Sequence, residues 1–158
     1  MEFRILGPLE VLDAGRAVPL GGAKQRAALA MLLLHRNQVV SRDRLIEGLW
    51  GDDPPVSAGH TLEAYVSRLR RALRTEGESP RLLTRTPGYL LKVEDGELDL
   101  DRFQAVLDRA RNATAGGDLR AAAAALRQAL AMFTGHRWRT SPMRHSLRWR
   151  SRGWNSCS

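Results

Sequence analysis

The chain has 158 residues, 43% of them hydrophobic and 27% charged, an ordinary soluble globular composition with enough length for one full core and a small second module. Its one cysteine, Cys157, excludes an internal disulfide and any multi-thiolate metal site. No apolar run approaches the roughly 20 residues needed to cross a bilayer, and Met1-Glu2-Phe3-Arg4 lacks a signal-peptide layout, so a cytoplasmic location without membrane contact is expected.

The formal net charge of +8 resembles a nucleic-acid signature, yet residues 134–158 hold six arginines and no acid, which leaves +2 for residues 1–133. Local patterning, not bulk charge, has to carry any inference of DNA binding.

Phe3-Arg4-Ile5-Leu6 and Leu9-Glu10-Val11-Leu12 are short β-type runs parted by Gly7-Pro8, and Asp13-Ala14-Gly15-Arg16 turns into a third run ending at Leu20. Together they predict a small antiparallel sheet. Gly21-Gly22 releases the chain into a helix from Lys24 to Arg36, and its unbroken apolar stretch Ala27–Leu34 predicts burial on several sides, as the central core helix. Asn37-Gln38 breaks it and Val39-Val40 is extended. Ser41 then caps a helix with Asp43 in its first turn and Leu45, Ile46, Leu49 and Trp50 on its buried side. Gly51 ends that helix, and Asp52-Asp53-Pro54-Pro55 is a stiff link longer than the turn of a compact helix-turn-helix, which points to a winged variant.

From Val56 to Arg74, Leu62, Val66, Leu69 and Leu73 form one apolar stripe at helical spacing. The opposite side carries His60, Thr61, Ala64, Arg68 and Arg71, and the stretch holds four arginines against one acid. Positive charge, hydrogen-bond donors and small residues on one helix face suit a DNA groove. After a polar loop, Arg81–Arg85 and Tyr89–Val93 are strand candidates joined around Thr86-Pro87-Gly88, a hairpin with Arg85 near its tip.

Glu94-Asp95-Gly96-Glu97 reads as an acidic linker. Leu98–Ala113 follows at helical spacing, with Asp99 or Asp101 available as caps; Gly116-Gly117 closes that helix, and Asp118 caps another running to Phe133. The pair is a helical hairpin resembling one tetratricopeptide unit, which cannot bury its own apolar face. Residues 134–158 show no period and hold three of the four tryptophans; disorder is predicted there.

Phe3-Arg4-Ile5-Leu6-Gly7-Pro8-Leu9-Glu10-Val11, Lys24-Gln25-Arg26, Val40-Ser41-Arg42-Asp43-Arg44-Leu45-Ile46 with Leu49-Trp50-Gly51, Val66-Ser67-Arg68-Leu69-Arg70 and Pro87-Gly88-Tyr89 stand in the order seen in the Streptomyces antibiotic regulatory protein family. The resemblance covers residues 2–133. It implies an α+β fold: an OmpR/PhoB-type winged helix-turn-helix over 1–93, with an N-terminal antiparallel sheet, three helices and a C-terminal β-hairpin wing. Next come the start of a tetratricopeptide-like bacterial transcriptional activation domain over 98–133 and a basic tail over 134–158. The implied activity is that of a pathway-specific activator that binds direct repeats near a promoter, as a homo-oligomer on those repeats, and recruits RNA polymerase through the Asp52–Ser57 loop. After Phe133 the pattern departs from the family, and an out-of-frame reading of the remaining gene, leaving a truncated activation domain, is the expectation.

Arg68 stands where it can make a bidentate contact to guanine O6 and N7, against the plainer reading of a solvated arginine. His60 and Thr61, at the helix N-terminus, suit phosphate positioning, and Thr61 is also a candidate, with Ala64 and Arg68, for reading bases. Ala64 can pack on a thymine methyl, and Tyr65 borders the core stripe. By resemblance Arg85 enters the minor groove, while Arg42 and Trp50 touch phosphates; for Trp50, core packing beside Leu49 is the equal alternative. Arg70 and Arg71, with Arg74, flank the reading face as sources of electrostatic attraction, and Gly88 and Tyr89 close the hairpin. The four histidines share no metal-ligand spacing, Gly21–Gln25 lacks the spacing of a phosphate loop, and no nucleophile has a base, so neither a metal, a cofactor nor an enzyme is expected. Two rivals stand beside the activator reading. In one, the helical segment pairs with a full-length regulator and inhibits it; in the other, the Arg/Trp tail binds RNA or DNA without sequence preference.

Overall fold

The computed structural model describes residues 1–134 apart from residues 76 and 78, with the backbone alone at residue 134. The expectation of disorder beyond that point lies outside the described residues. Strands β1 (Glu2–Arg4), β2 (Glu10–Asp13) and β3 (Arg16–Ala17) make an antiparallel sheet in the order β1-β2-β3, with Phe3 opposite Val11 and both side chains in the core.

Helix α1 (Ala23–Leu34) follows and buries Gln25, Ala28, Leu29, Leu32 and Leu33, with Met31 half-buried against the same core. The unbroken apolar run predicted burial on several sides, and the next two helices and the second sheet all pack against α1. Leu34 is 56% exposed and Ala27 is exposed, so part of the run faces solvent.

In the turn after this helix, Asn37, at φ +61, takes the left-handed conformation that asparagine tolerates. Its side-chain amide donates to the Val93 carbonyl oxygen (2.8 Å) and accepts from the Val93 N–H (3.0 Å), extending the neighbouring ladder by one pair. That ladder is a second antiparallel sheet of β4 (Val39–Ser41), β5 (Leu82–Arg85) and β6 (Gly88–Leu91) in the order β4-β6-β5. The predicted wing hairpin is present, and the Val39-Val40 run joins it as a third strand. Gly88 lies opposite Ser41, and a Cβ placed on it would stand 1.9 Å from the Val40 carbonyl oxygen. Only glycine lets β4 and β6 approach this closely.

Helix α2 (Arg42–Trp50) starts at Ser41, whose hydroxyl accepts from the Arg44 N–H (3.2 Å). Helix α3 (Ala58–Ala72) buries Ala58 and, from the predicted stripe, Leu62, Val66 and Leu69 against α1 and α2, with Leu73 buried just past its end. One core cluster unites both sheets and α1–α3, and it includes Leu98, which has no exposed surface.

Beyond the second sheet the acidic stretch departs from its reading as a plain linker. Glu97 accepts from Arg81 Nη1 (2.7 Å) and the Met1 ammonium (3.1 Å), while its carbonyl accepts from the Phe3 N–H (2.7 Å). Helix α4 (Asp99–Ala115) is preceded by Leu98 with no side-chain cap. Asp99, only 4% exposed, instead turns its carboxylate to the N–H groups of Ile5 (2.9 Å) and Leu6 (3.1 Å), and Asp101 pairs with Arg36. The first turn of α4 is thereby fastened to the end of β1 and to α1. Asp118 caps α5 (Leu119–Thr134) by accepting from the Ala121 N–H (2.9 Å). The two helices pack through Val106, Ala110, Ala122 and Ala129, with Phe103 and Phe133 edge to face at 4.9 Å. As a lone pair they leave Leu119, Leu126 and Leu130 exposed.

Candidate nucleic-acid interface

Helix α3 presents to solvent the side opposite its buried stripe. At helical spacing His60, Ala64, Ser67 and Arg71 run along the centre of that side, with Arg68 on one flank and Glu63 on the other; all six are exposed. Thr61, half-buried in the first turn, donates its N–H to the Ser57 carbonyl oxygen (2.9 Å). Arg68, Arg71 and Arg74 carry no protein partner among the described residues, so three guanidiniums stand free toward solvent at the C-terminal half of the helix. Ser67 and Glu63 were missed by reading the sequence for cations and methyl-contact residues. Helical spacing alone would have found Ser67.

Arg70, expected to flank the reading face as a source of attraction, is also tied to the wing. Its Nε donates to the Leu82 carbonyl oxygen (2.9 Å), Nη2 donates to Thr84 Oγ1 (2.6 Å), and the guanidinium lies 5.9 Å from the Tyr89 ring centroid. The side chain fastens α3 to the wing sheet through neutral acceptors, so its positive charge is held in place where helix and wing meet. Arg85 follows Thr84 at the end of β5, paired in register with Gly88 across the Thr86-Pro87 turn; it is exposed and unpartnered among the described residues.

Arg42 is also engaged. Its N–H donates to the Pro87 carbonyl oxygen (3.2 Å), joining the start of α2 to the wing turn, and its Nη2 meets Glu63 Oε1 at 2.8 Å. The hydrogen bond to Glu63 pushes the Arg42 pKa further above its already high ordinary value. For an arginine this changes no charge, but it marks a guanidinium held in place. His60 Nδ1 lies 3.7 Å from the other Glu63 oxygen.

Trp50 and Tyr65 pack against the core cluster, stacked with centroids 6.4 Å apart. Lys24 Nζ sits 4.7 Å over the Trp50 ring and donates to the Leu49 carbonyl oxygen (2.8 Å), satisfying the C-terminal end of α2. Packing, one of the two readings left open for Trp50, is what fixes its ring. In the link between α2 and α3, residues 51–57 are exposed and Val56 fully so.

Three packed helices, the outer one with a cationic solvent face, and a sheet hairpin fastened beside it define a winged-helix DNA-binding domain, here continued by a helical hairpin. Residues 15–91 match the family described as transcriptional regulatory protein, C terminal, and residues 98–153 match the bacterial transcriptional activator domain. The transcriptional regulatory protein MoaR1 of Mycobacterium tuberculosis is 45% identical over 120 residues, which cover 74% of this chain and 39% of MoaR1. The transcriptional regulatory protein EmbR of the same organism is 41% identical over 137 residues, 85% of this chain and 35% of EmbR. The regulatory protein DnrI of Streptomyces peucetius is 34% identical over 142 residues, 85% of this chain and 52% of DnrI.

A solved structure of Mycobacterium tuberculosis EmbR, in complex with a low-affinity phosphopeptide, superposes with a TM-score of 0.78 at 41% identity, covering 84% of this chain and 35% of that one. The chain belongs to the Streptomyces antibiotic regulatory protein family of transcriptional regulators. It spans 39% of the length of MoaR1 and 35% of EmbR. The activator-domain match continues to residue 153, past Phe133, where reading the sequence placed the departure from the family. Among the described residues no helix is long and apolar enough to cross a membrane.

Proposed function

We propose that the chain acts in the cytoplasm as a sequence-specific, pathway-specific activator that binds direct repeats at a promoter. Helix α3 enters the major groove and Arg85, at the wing turn, enters the adjacent minor groove. The reading is carried by one observation: Arg68, Arg71 and Arg85 are exposed without protein partners among the described residues, on elements whose other faces are fixed in the core. Thr61, Ala64 and Arg68 read bases, His60 positions phosphate, and Arg71 supplies attraction along the backbone. Trp50 and Tyr65 support the helix from below, and Arg42 and Arg70 hold it against α2 and the wing. The exposed loop between α2 and α3 is the surface for RNA polymerase, and copies of the chain associate on the repeats. Residues 1–93 form the DNA-binding unit, 98–133 the activation or dimerisation segment and 134–158 a basic tail.

Selection of bound duplexes from a random pool, followed by salt titration on the selected sequence, tests this. A consensus with repeated half-sites and affinity falling steeply with salt is the expected result; recovery of no consensus would remove the sequence-specific reading. The exposure of Leu119, Leu126 and Leu130 favours a second reading, in which the helical hairpin pairs with a full-length regulator and inhibits it. An interaction-only protein would show no salt-dependent DNA binding in a gel shift.

A further inference from the structure

Glu63 is the one acid between Val56 and Arg74, on the solvent side of a helix whose other exposed charges are positive. Within a Debye length of about 8 Å from phosphates, a carboxylate opposes binding to every duplex alike. Its geometry suggests a compensating use. The side chain is 48% exposed, and its Oε1 accepts from Arg42 Nη2 at 2.8 Å. The guanidinium crosses from α2 close beside Gly59, where an added Cβ would stand 3.4 Å from Nη2. His60 Nδ1, at 3.7 Å, is too far from Oε2 to fill it with a hydrogen bond. One carboxylate oxygen is thus anchored to the neighbouring helix, while the other keeps its lone pairs toward solvent. Ala64, adjacent in sequence, adds no bulk that would hold this acceptor away from a base edge.

An anchored acceptor discriminates between bases. In the major groove cytosine offers its N4 amino group as a donor, whereas guanine offers only the acceptors O6 and N7, which repel a carboxylate. We propose that Glu63 is a specificity-determining residue of α3, its carboxylate oriented by Arg42 and accepting a hydrogen bond from the amino group of a cytosine in the major groove. This rests on the DNA-binding reading above. Arg42 acts as a positioning residue, which explains why a cation beside the duplex is paired within the protein.

The test uses the full chain. Duplexes selected by the wild type are titrated, with every single-base variant and an unrelated duplex, against wild type, Glu63→Gln, Glu63→Ala and Arg42→Ala at several salt concentrations. Circular dichroism checks the helix content of each variant. Glu63→Ala is expected to lose a cytosine preference of roughly tenfold at one base pair; Glu63→Gln, whose amide oxygen still accepts but whose amino group can donate to guanine, is expected to weaken it, and both to bind the unrelated duplex more tightly. Arg42→Ala is expected to weaken the preference at that same base pair. Glu63 variants that keep the wild-type preference at every position would overturn the proposal, and so would an Arg42→Ala that weakens all duplexes equally. If the wild type itself shows no salt-dependent binding to any duplex, the DNA-binding reading falls as a whole, an outcome distinct from an intact binder with unchanged base preferences.

Discussion

Arg68 and Arg71 share the exposed side of one helix, and both are free of protein partners among the described residues. Their expected roles differ because one is assigned to a base edge and the other to the backbone. Arg68→Ala should lose about 1–3 kcal/mol of binding and relax specificity at one position, whereas Arg71→Ala should weaken all duplexes alike and flatten the salt slope by about one unit. Equilibrium titration at several salt concentrations separates them, and full affinity in both variants would remove α3 from the groove. Gly88 works on stability instead. A methyl group there meets the Val40 backbone oxygen at 1.9 Å, so β4 and β6 would have to part. Gly88→Ala should cost about 3 kcal/mol or more, read as a drop in the denaturation midpoint. A midpoint within error of wild type would mean that the strands yield freely.

The recognition helix and the wing act as one unit because Arg70 ties them. Its two hydrogen bonds to β5 and its place near the Tyr89 ring set the position of the strand that carries Arg85. Arg70→Met, which keeps the aliphatic stem, should lower stability by about 1–2 kcal/mol and speed amide exchange in Leu82–Arg85. Unchanged exchange there would show that strand pairing alone holds the wing. The stripe of Leu62, Val66, Leu69 and Leu73 is legible in the sequence, since helical spacing fixes which side chains share a face. The destination of Arg70 is not: its partners Leu82 and Thr84 are 12 and 14 residues away, across a loop whose path no local pattern encodes. For the same reason Val39-Val40 could be read as extended but not placed beside β6.

At the scale of the molecule, residues 94–102 join the two parts through buried polar contacts. Burial alone would push the Glu97 carboxyl up, but hydrogen bonds from the Glu94 N–H, Arg81 and the Met1 ammonium outweigh it and hold the pKa below the ordinary carboxylate range. Glu2, bonded to Arg4 and to Arg102 on α4, is lowered as well. Both carboxylates are more acidic folded than unfolded. They therefore contribute stability above the unfolded value of about 4.3 and lose it as pH falls further, through their folded values. Thermal melts between neutral pH and pH 3 should show the midpoint falling below about pH 4.3. Glu97→Gln should show a smaller fall over that range; a pH profile identical to wild type would remove Glu97 from the linkage.

The sequence by itself determined the order of elements, the apolar stripes, the caps at Ser41 and Asp118 and the family, because these depend on spacing along a few turns of chain. It also marked which arginines lie on the outer side of α3. Which charges stand unpaired depends on how the elements pack together. Arg42 and Arg70 are paired within the protein, Arg68, Arg71 and Arg85 are not, and Asp99 anchors the end of β1 in place of capping its own helix. The physical reason is range: a side chain's partner is set by packing between elements distant in the chain, and composition and periodicity carry no record of that distance.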